Sequence, residues 1–207
     1  MTLATSPSKS PRSAGARNVD PPQPAWERGT LRDLVRHIVD RHHGWLRAEL
    51  PEIGGLIRRG IESGGRERSA RLVEMETLFR RFHREIESHL KKEEAVLFPL
   101  IERLEESAAE GRPASRQSFG PLSNPVEFMK QDHELADRLL EKLKALCAEA
   151  EQGGEAGAIP QALCERFEAV EADLAVHVHL EDDILFPRAI RLEERALEER
   201  AEEPSPL

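Results

Sequence analysis

The pattern H-x-x-x-E-x-x-x-L-F-P occurs twice in this chain, from His89 to Pro99 and again from His177 to Pro187. Each copy has a histidine upstream at a similar distance. His43 lies 46 residues before His89, and His133 lies 44 before His177. The chain is thus a doubled unit, H…HxxxE followed by H…HxxxE. Residues four apart on a helix share a face, so His89 with Glu93, and His177 with Glu181, each aim an imidazole and a carboxylate at one point. Whatever fold forms must bring two similar halves together around these side chains. Four histidines and two carboxylates supplied in this way describe a dinuclear metal site.

The apolar spacing around the motifs is helical throughout. Leu72, Met75, Phe79, Phe82, Ile86, His89, Glu93, Val96 and Leu100 alternate steps of three and four, a seam that faces a bundle core. Val126, Met129, His133, Ala136, Leu140, Leu143 and Cys147 do the same, as do Leu163, Phe167, Val170, Leu174, His177, Glu181 and Ile184. An earlier helix carries Val35, Val39, His43, Leu46, Leu50, Ile53 and Ile57, with Thr30 as its cap and Pro51 expected to kink or restart it. Gly64-Gly65, a linker from Ser107 to Ser123, and Gly153, Gly154 and Gly157 punctuate the helices. Ser123 or Asn124 is the expected cap of the third helix. These features predict an all-α fold, an antiparallel up-down four-helix bundle built from two similar helix pairs. The bundle spans 28–192, between a disordered Pro/Ser-rich arm (1–27) and an acidic tail (193–207).

Composition narrows the function classes. The 39 acidic residues outnumber the 30 lysines and arginines, and the basic residues are dispersed, which argues against a nucleic-acid surface. No apolar run approaches the roughly 20 residues of a membrane span, and the first residues lack the apolar segment of a secretory signal. Cys147 and Cys164 form no C-x-x-C pattern and read as small buried hydrophobes, consistent with a reducing, cytoplasmic compartment. Tyrosine is absent, so chemistry relying on a tyrosyl radical is excluded.

The seam histidines carry the functional reading. A buried Glu costs several kcal/mol unless it is paired or bound to a metal. No lysine or arginine shares these seams, so His43, His89, Glu93, His133, His177 and Glu181 point to metal. His37, His42, His83 and His179 lie off the seams and read as solvated or supporting residues. A metal-bound imidazole usually gives its other N–H to a carboxylate or carbonyl; Asp132, Glu134, Asp40 and Asp173 are near enough in sequence to serve. Mixed imidazole and carboxylate ligation suits Fe, Mn, Zn or Cu, and two shared carboxylates favour a di-iron or di-manganese pair.

The doubled H…HxxxE unit in a four-helix pattern resembles the hemerythrin (HHE cation-binding) family. The wording is similar to one branch, the iron–sulfur cluster repair di-iron proteins: Arg41-His42-His43 with Leu46-Arg47, Leu50-Pro51-Glu52, Ser88-His89-Leu90, Lys92-Glu93-Glu94, Leu97-Phe98-Pro99, Met129 to His133, and Leu185-Phe186-Pro187-Arg188. The resemblance implies two non-heme irons, with manganese or zinc as the lesser alternatives, held by the four seam histidines and bridged by Glu93 and Glu181. It also implies O2, NO or peroxide as ligand, in nitrosative or oxidative stress response or in cluster repair, with a redox or iron–sulfur protein as client. A non-enzymatic O2 or NO carrier, store or sensor is the alternative, and a di-iron oxidase or peroxidase a third reading; whether the chain is an enzyme stays open. Three departures stand out. A further histidine of that branch is replaced by Gly64, its small cysteine-bearing N-terminal domain has no counterpart in the arm, and the extra helix-C histidine of oxygen carriers is Asp137. Asp137 or Glu62 is a substitute oxygen ligand on this reading, but a salt bridge between Arg47 and Asp137 across the bundle is the stronger expectation.

Overall fold

The structure, a computed structural model, describes residues 23–63, 66–112, 120–152 and 158–202. The arm up to residue 22, the Gly64-Gly65 turn, residues 113–119 of the linker, Gly153, Gly154 and Gly157, and the tail beyond 202 lie outside the described residues. The chain is all-helical: no strand occurs among the described residues. Its elements are α1 (Gln23–Arg28), α2 (Leu31–His37), α3 (Gly44–Ser63), α4 (Arg66–Lys92), α5 (Phe98–Ala109), α6 (Ser123–Gln152), α7 (Ala158–His179) and α8 (Phe186–Glu202).

Three short π-helical stretches join these elements without a break. Ile38–His43 links α2 to α3, Glu93–Leu97 links α4 to α5, and Leu180–Leu185 links α7 to α8. A π turn accommodates one extra residue, so the face that looks inward shifts by one position. This corrects the expected seams at two places. Val96 is exposed, and Leu97 and Phe98 are buried in its stead. Val39 is only partly buried, whereas Ile38 is fully buried. The spacing of five from Ile38 to His43, from Glu93 to Phe98 and from Glu181 to Phe186 is the trace these turns leave in the sequence. Pro99 and Pro187 favour two of them. Each lacks the N–H that would bond the carbonyl four residues back, so the α ladder cannot close there.

The remaining helical signals divide. Thr30 caps α2, accepting from the Asp33 amide at 3.0 Å. Pro51 lies inside α3, which does not restart there. Residues 23–27, expected to be part of the arm, instead form most of α1. Trp26 packs against the apolar cluster below it, and the Arg188 guanidinium holds the Trp26 and Gly29 carbonyls. Ser123 and Asn124 already lie within α6. The amide ahead of them, on Leu122, is taken by the Glu193 carboxylate at 2.8 Å. Glu105 does the same for α2, accepting from the amides of Leu31 and Arg32 at 2.6 and 3.0 Å. Glu105 and Glu193 each stand 12 residues after Glu93 and Glu181, so the internal repeat runs beyond the L-F-P sequence.

Helix α3 packs on α4 and α7, and α6 packs on the same two, closing a ring; α2, α5 and α8 pack together at one end. The interior has two apolar clusters. One is built on Leu46, Leu50, Phe79, Phe82, Leu143, Phe167 and their neighbours within the ring. The other is built on Leu34, Ile38, Leu97, Phe98, Leu185 and Phe186 at the α2–α5–α8 end. In every segment the chain passes from one cluster to the other through a polar position: Ile38 to Leu46 by way of His43, Leu90 to Leu97 by way of Glu93, Met129 to Ala136 by way of His133, and Leu174 to Leu180 by way of His177. A polar layer therefore crosses the core between the clusters. The Leu-Phe pairs of the repeated motif form its floor.

Candidate metal centre

The buried polar side chains of the described residues are His42, His43, His89, Glu93, His133, His177 and Glu181. All six positions anticipated from the seams are among them, joined by His42. The four anticipated imidazoles turn their Nε2 atoms inward. His43 Nε2 lies 3.2 Å from His177 Nε2, and His133 Nε2 lies 3.2 Å from His89 Nε2. Both carboxylates sit among them. Glu93 is 3.4 Å from His43 and from His89; Glu181 is 2.9 Å from His177 and 3.1 Å from His133.

Two groups result whose ligand atoms lie within 4.8 Å of one another: His43, Glu93, His177 and Glu181, and His89, Glu93, His133 and Glu181. They share both glutamates. Each group takes one histidine from each half of the chain, so neither half forms a group alone.

The electrostatics of this cluster fit a cation. Both glutamates are fully buried, and neither oxygen of Glu93 has a hydrogen-bond partner. Burial, then the carboxylate of Glu181 beside it, pushes the Glu93 carboxyl well above the usual carboxylate range. Burial would raise Glu181 too, but the charge of His177 and hydrogen bonds from His133 and His177 outweigh it and hold Glu181 down. Burial brings His43 down to about 4, helped by His177 and opposed by Glu181 and Glu94. For His133, burial is overcome by Asp182 and Glu181, which lift it to about 9. Two carboxylates facing each other in a dry layer can both ionise only with positive charge between them. Oxygen and imidazole nitrogen are the donors that borderline divalent ions accept.

Three of the four outward Nδ1 atoms face a carboxylate. Glu94 meets His43 at 2.7 Å, Asp182 meets His133 at 3.4 Å, and Asp132 stands 3.5 Å from His89. Asp132 was anticipated. Glu94 and Asp182 were not, although each follows a seam glutamate directly and the repeat Glu-(Glu/Asp) was open to inspection. Asp173 serves His42 at 3.2 Å, not a seam histidine. Glu134 pairs with exposed Arg138, and Asp40 is exposed. His179 bonds Asp183 on the surface at 2.6 Å.

Arg47 and Asp137 do not meet. Arg47 binds Glu94 at 2.8 Å, because α3 neighbours α4 and α7, whereas α6 lies across the ring. Asp137 belongs to neither ligand group. It stands at the exposed edge of a cleft between α4, α6 and α7, which is walled by Ile86, Ala136 and Leu174 and reaches His89, His133 and His177. Burial raises its carboxyl above the ordinary value. Glu62 is exposed near the end of α3, about 28 Å from His43 at a helical rise of 1.5 Å per residue, and cannot reach the centre.

An all-helical chain with paired His/Glu groups that share two glutamates defines a buried cation-binding bundle. The chain belongs to the hemerythrin HHE cation binding domain family, whose model matches residues 34–189. It is similar to proteins described as iron-sulfur cluster repair protein YtfE. The relative from Musicola paradisiaca is 30% identical over 171 residues, 83% of this chain and 71% of the relative. That from Dickeya chrysanthemi is 28% identical over 166 residues, 80% and 69%. That from Escherichia coli O81 is 29% identical over 165 residues, 80% and 69%. No helix among the described residues is long and apolar enough to cross a membrane.

Proposed function

We propose that this chain is a non-heme di-iron protein, in which His43, His89, His133 and His177 hold two irons and Glu93 and Glu181 bridge them. Its role is to bind O2, NO or peroxide, in nitrosative or oxidative stress response or in iron–sulfur cluster repair. The observation that carries this reading is the sharing of both buried glutamates between two otherwise separate histidine pairs. Such sharing suits two ions side by side and would waste a carboxylate on one. The relatives' description as iron–sulfur cluster repair proteins supports iron over manganese or zinc and an iron–sulfur protein as client; a cytoplasmic compartment and a redox client are part of the same proposal. The ring of α3, α4, α6 and α7 supports an antiparallel up-down four-helix bundle as the frame.

When bound, a pair of irons supplies one-electron chemistry and open positions for small ligands. The protein's own contribution is positional. The Nδ1 carboxylates fix the rotation of the imidazoles, and the two apolar clusters keep water from the layer. A cleft walled by Ile86, Ala136 and Leu174 reaches His89, His133 and His177 and is the proposed path for a small ligand.

Metal analysis of anaerobically purified protein, followed by optical titration with O2 and NO, tests this. Two irons per chain with a stable or turning-over NO adduct and irreversible oxidation by O2 support the repair reading; a reversible O2-linked band supports the alternative, a carrier, store or sensor. One iron, or zinc, overturns the di-iron assignment. Glu93→Ala and Glu181→Ala are each expected to lose most of the metal, and retention of two irons by both variants would be fatal to the proposed ligand set.

A further inference from the structure

The two halves of the chain repeat the same ligand motif, but the surroundings of the two histidine pairs differ. His133 and His89 both have a carboxylate at Nδ1, from Asp182 at 3.4 Å and Asp132 at 3.5 Å. In the other pair, His43 has Glu94 at 2.7 Å. The Nδ1 atoms of His89 and His177 are both buried without a hydrogen bond, but His89 has the Asp132 carboxylate at ion-pair distance, whereas no carboxylate of the described residues stands at Nδ1 of His177. The repeat explains the gap. Asp132 directly precedes His133 and reaches across to His89. The residue that directly precedes His43 is His42, and the ring it reaches across to is that of His177. An imidazole stands where the repeat places a carboxylate. It lies flat against His177, with ring centroids 5.5 Å apart and planes 10° from parallel, and its own Nδ1 is turned 3.2 Å from Asp173, which Arg41 also pairs with.

A carboxylate on the far nitrogen strengthens a metal-bound imidazole, and its loss typically costs 10- to 100-fold in affinity. Building on the di-metal reading above, we propose that the two subsites hold their ions with unequal strength. The His89–His133 subsite is the tight one. The His43–His177 subsite is the weak one, because His42 occupies the place of its fourth carboxylate. The two subsites share Glu93 and Glu181 equally, so the difference lies in the histidines. The chain therefore fills in order and holds one ion ready to be given up while the other stays. The tight subsite is the one on the cleft side, so the ion that stays is the one nearest the entrance for small ligands.

Cobalt(II), titrated anaerobically into the metal-free protein and followed by its visible bands and by calorimetry, reads this out without any assay of activity. Two steps are expected, the first at least about 10-fold tighter than the second. Asp132→Asn and Asp182→Asn each weaken the first step and draw the two together. Glu94→Gln weakens the second and spreads them apart. Two ions bound in one unresolved step, or Glu94→Gln weakening the first step, overturns the inference and leaves the di-metal reading standing. Fewer than two ions overturns both. The three variants act on partly exposed carboxylates in different helices, so failure of one to fold leaves the other two to decide.

Discussion

A histidine that receives a proton in the metal-free chain must give it up to bind an ion, and His133 is the residue where this competition is sharpest. Asp182 and Glu181 lift it against burial to about 9. In the metal-free protein its contribution to stability is full below 6.5 and is lost as pH rises through about 9. The metal experiences the reverse. Loading at pH 7 expels the His133 proton along with that of Glu93, so affinity should climb between pH 7 and 9, with protons released to the buffer. Chelator competition at several pH values, with calorimetry in buffers of different ionisation heat, checks this; a flat profile across that window would show His133 to be neutral already. At this scale the sequence was highly legible for the six inward residues, because seam position and i+4 spacing together place a side chain in the core and aim it. It was poorly legible for their partners. Which carboxylate meets an Nδ1 depends on which helices are neighbours, and a four-helix pattern alone does not say. Arg47 pairs with Glu94 and not Asp137 for that reason.

The helices are positioned by contacts that periodicity does not contain. Glu105 accepts the first amides of α2, at Leu31 and Arg32, and Glu193 accepts the Leu122 amide just ahead of α6, each from far away in sequence. They do the work of an N-cap side chain from a neighbouring element. Removing an N-cap acceptor costs about 1 kcal/mol, and in a chain of this size that lowers the melting temperature by roughly 2–4 °C. Glu105→Ala and Glu193→Ala should each show that loss in thermal melts, with Glu105→Gln losing less because its amide oxygen still accepts. An unchanged melting temperature for both alanine variants would mean that water replaces the carboxylate without cost. The π turns were hidden for a related reason. A sum of threes and fours absorbs one extra residue, so Val96 fits a seam on paper while Leu97 and Phe98 fill it in the molecule. The sequence cue was the step of five ahead of an L-F-P whose proline cannot close an α turn. All three turns fall beside proposed ligands, where π geometry is common.

On the scale of the whole molecule, the polar layer sets stability against function. Two apolar clusters would merge into one continuous core if the layer were apolar. Glu93 is the clearest cost. Its carboxyl is raised far above its ordinary 4.5 by burial and by Glu181, so the folded chain keeps a proton that the unfolded chain releases. Stability is then full below about pH 4.5 and falls as pH rises toward the folded value, by up to about 1.4 kcal/mol per pH unit for this one group. Between pH 6.5 and 9 His133 acts in the same direction. Glu93→Gln keeps the shape and removes the charge. The metal-free variant should therefore melt above metal-free wild type at pH 8, by a margin that narrows on going to pH 5. Bound metal reverses the order. An ion that binds only the folded chain adds stability as RT ln(1 + [L]/Kd), which wild type gains and the variant largely forgoes. Melting curves of both proteins, with and without metal, at pH 5 and pH 8 contain the whole comparison. A metal-free Glu93→Gln protein no more stable than metal-free wild type at pH 8 would mean that Glu93 carries no charge penalty. The strongest structural reason for a cation in this layer would then be gone.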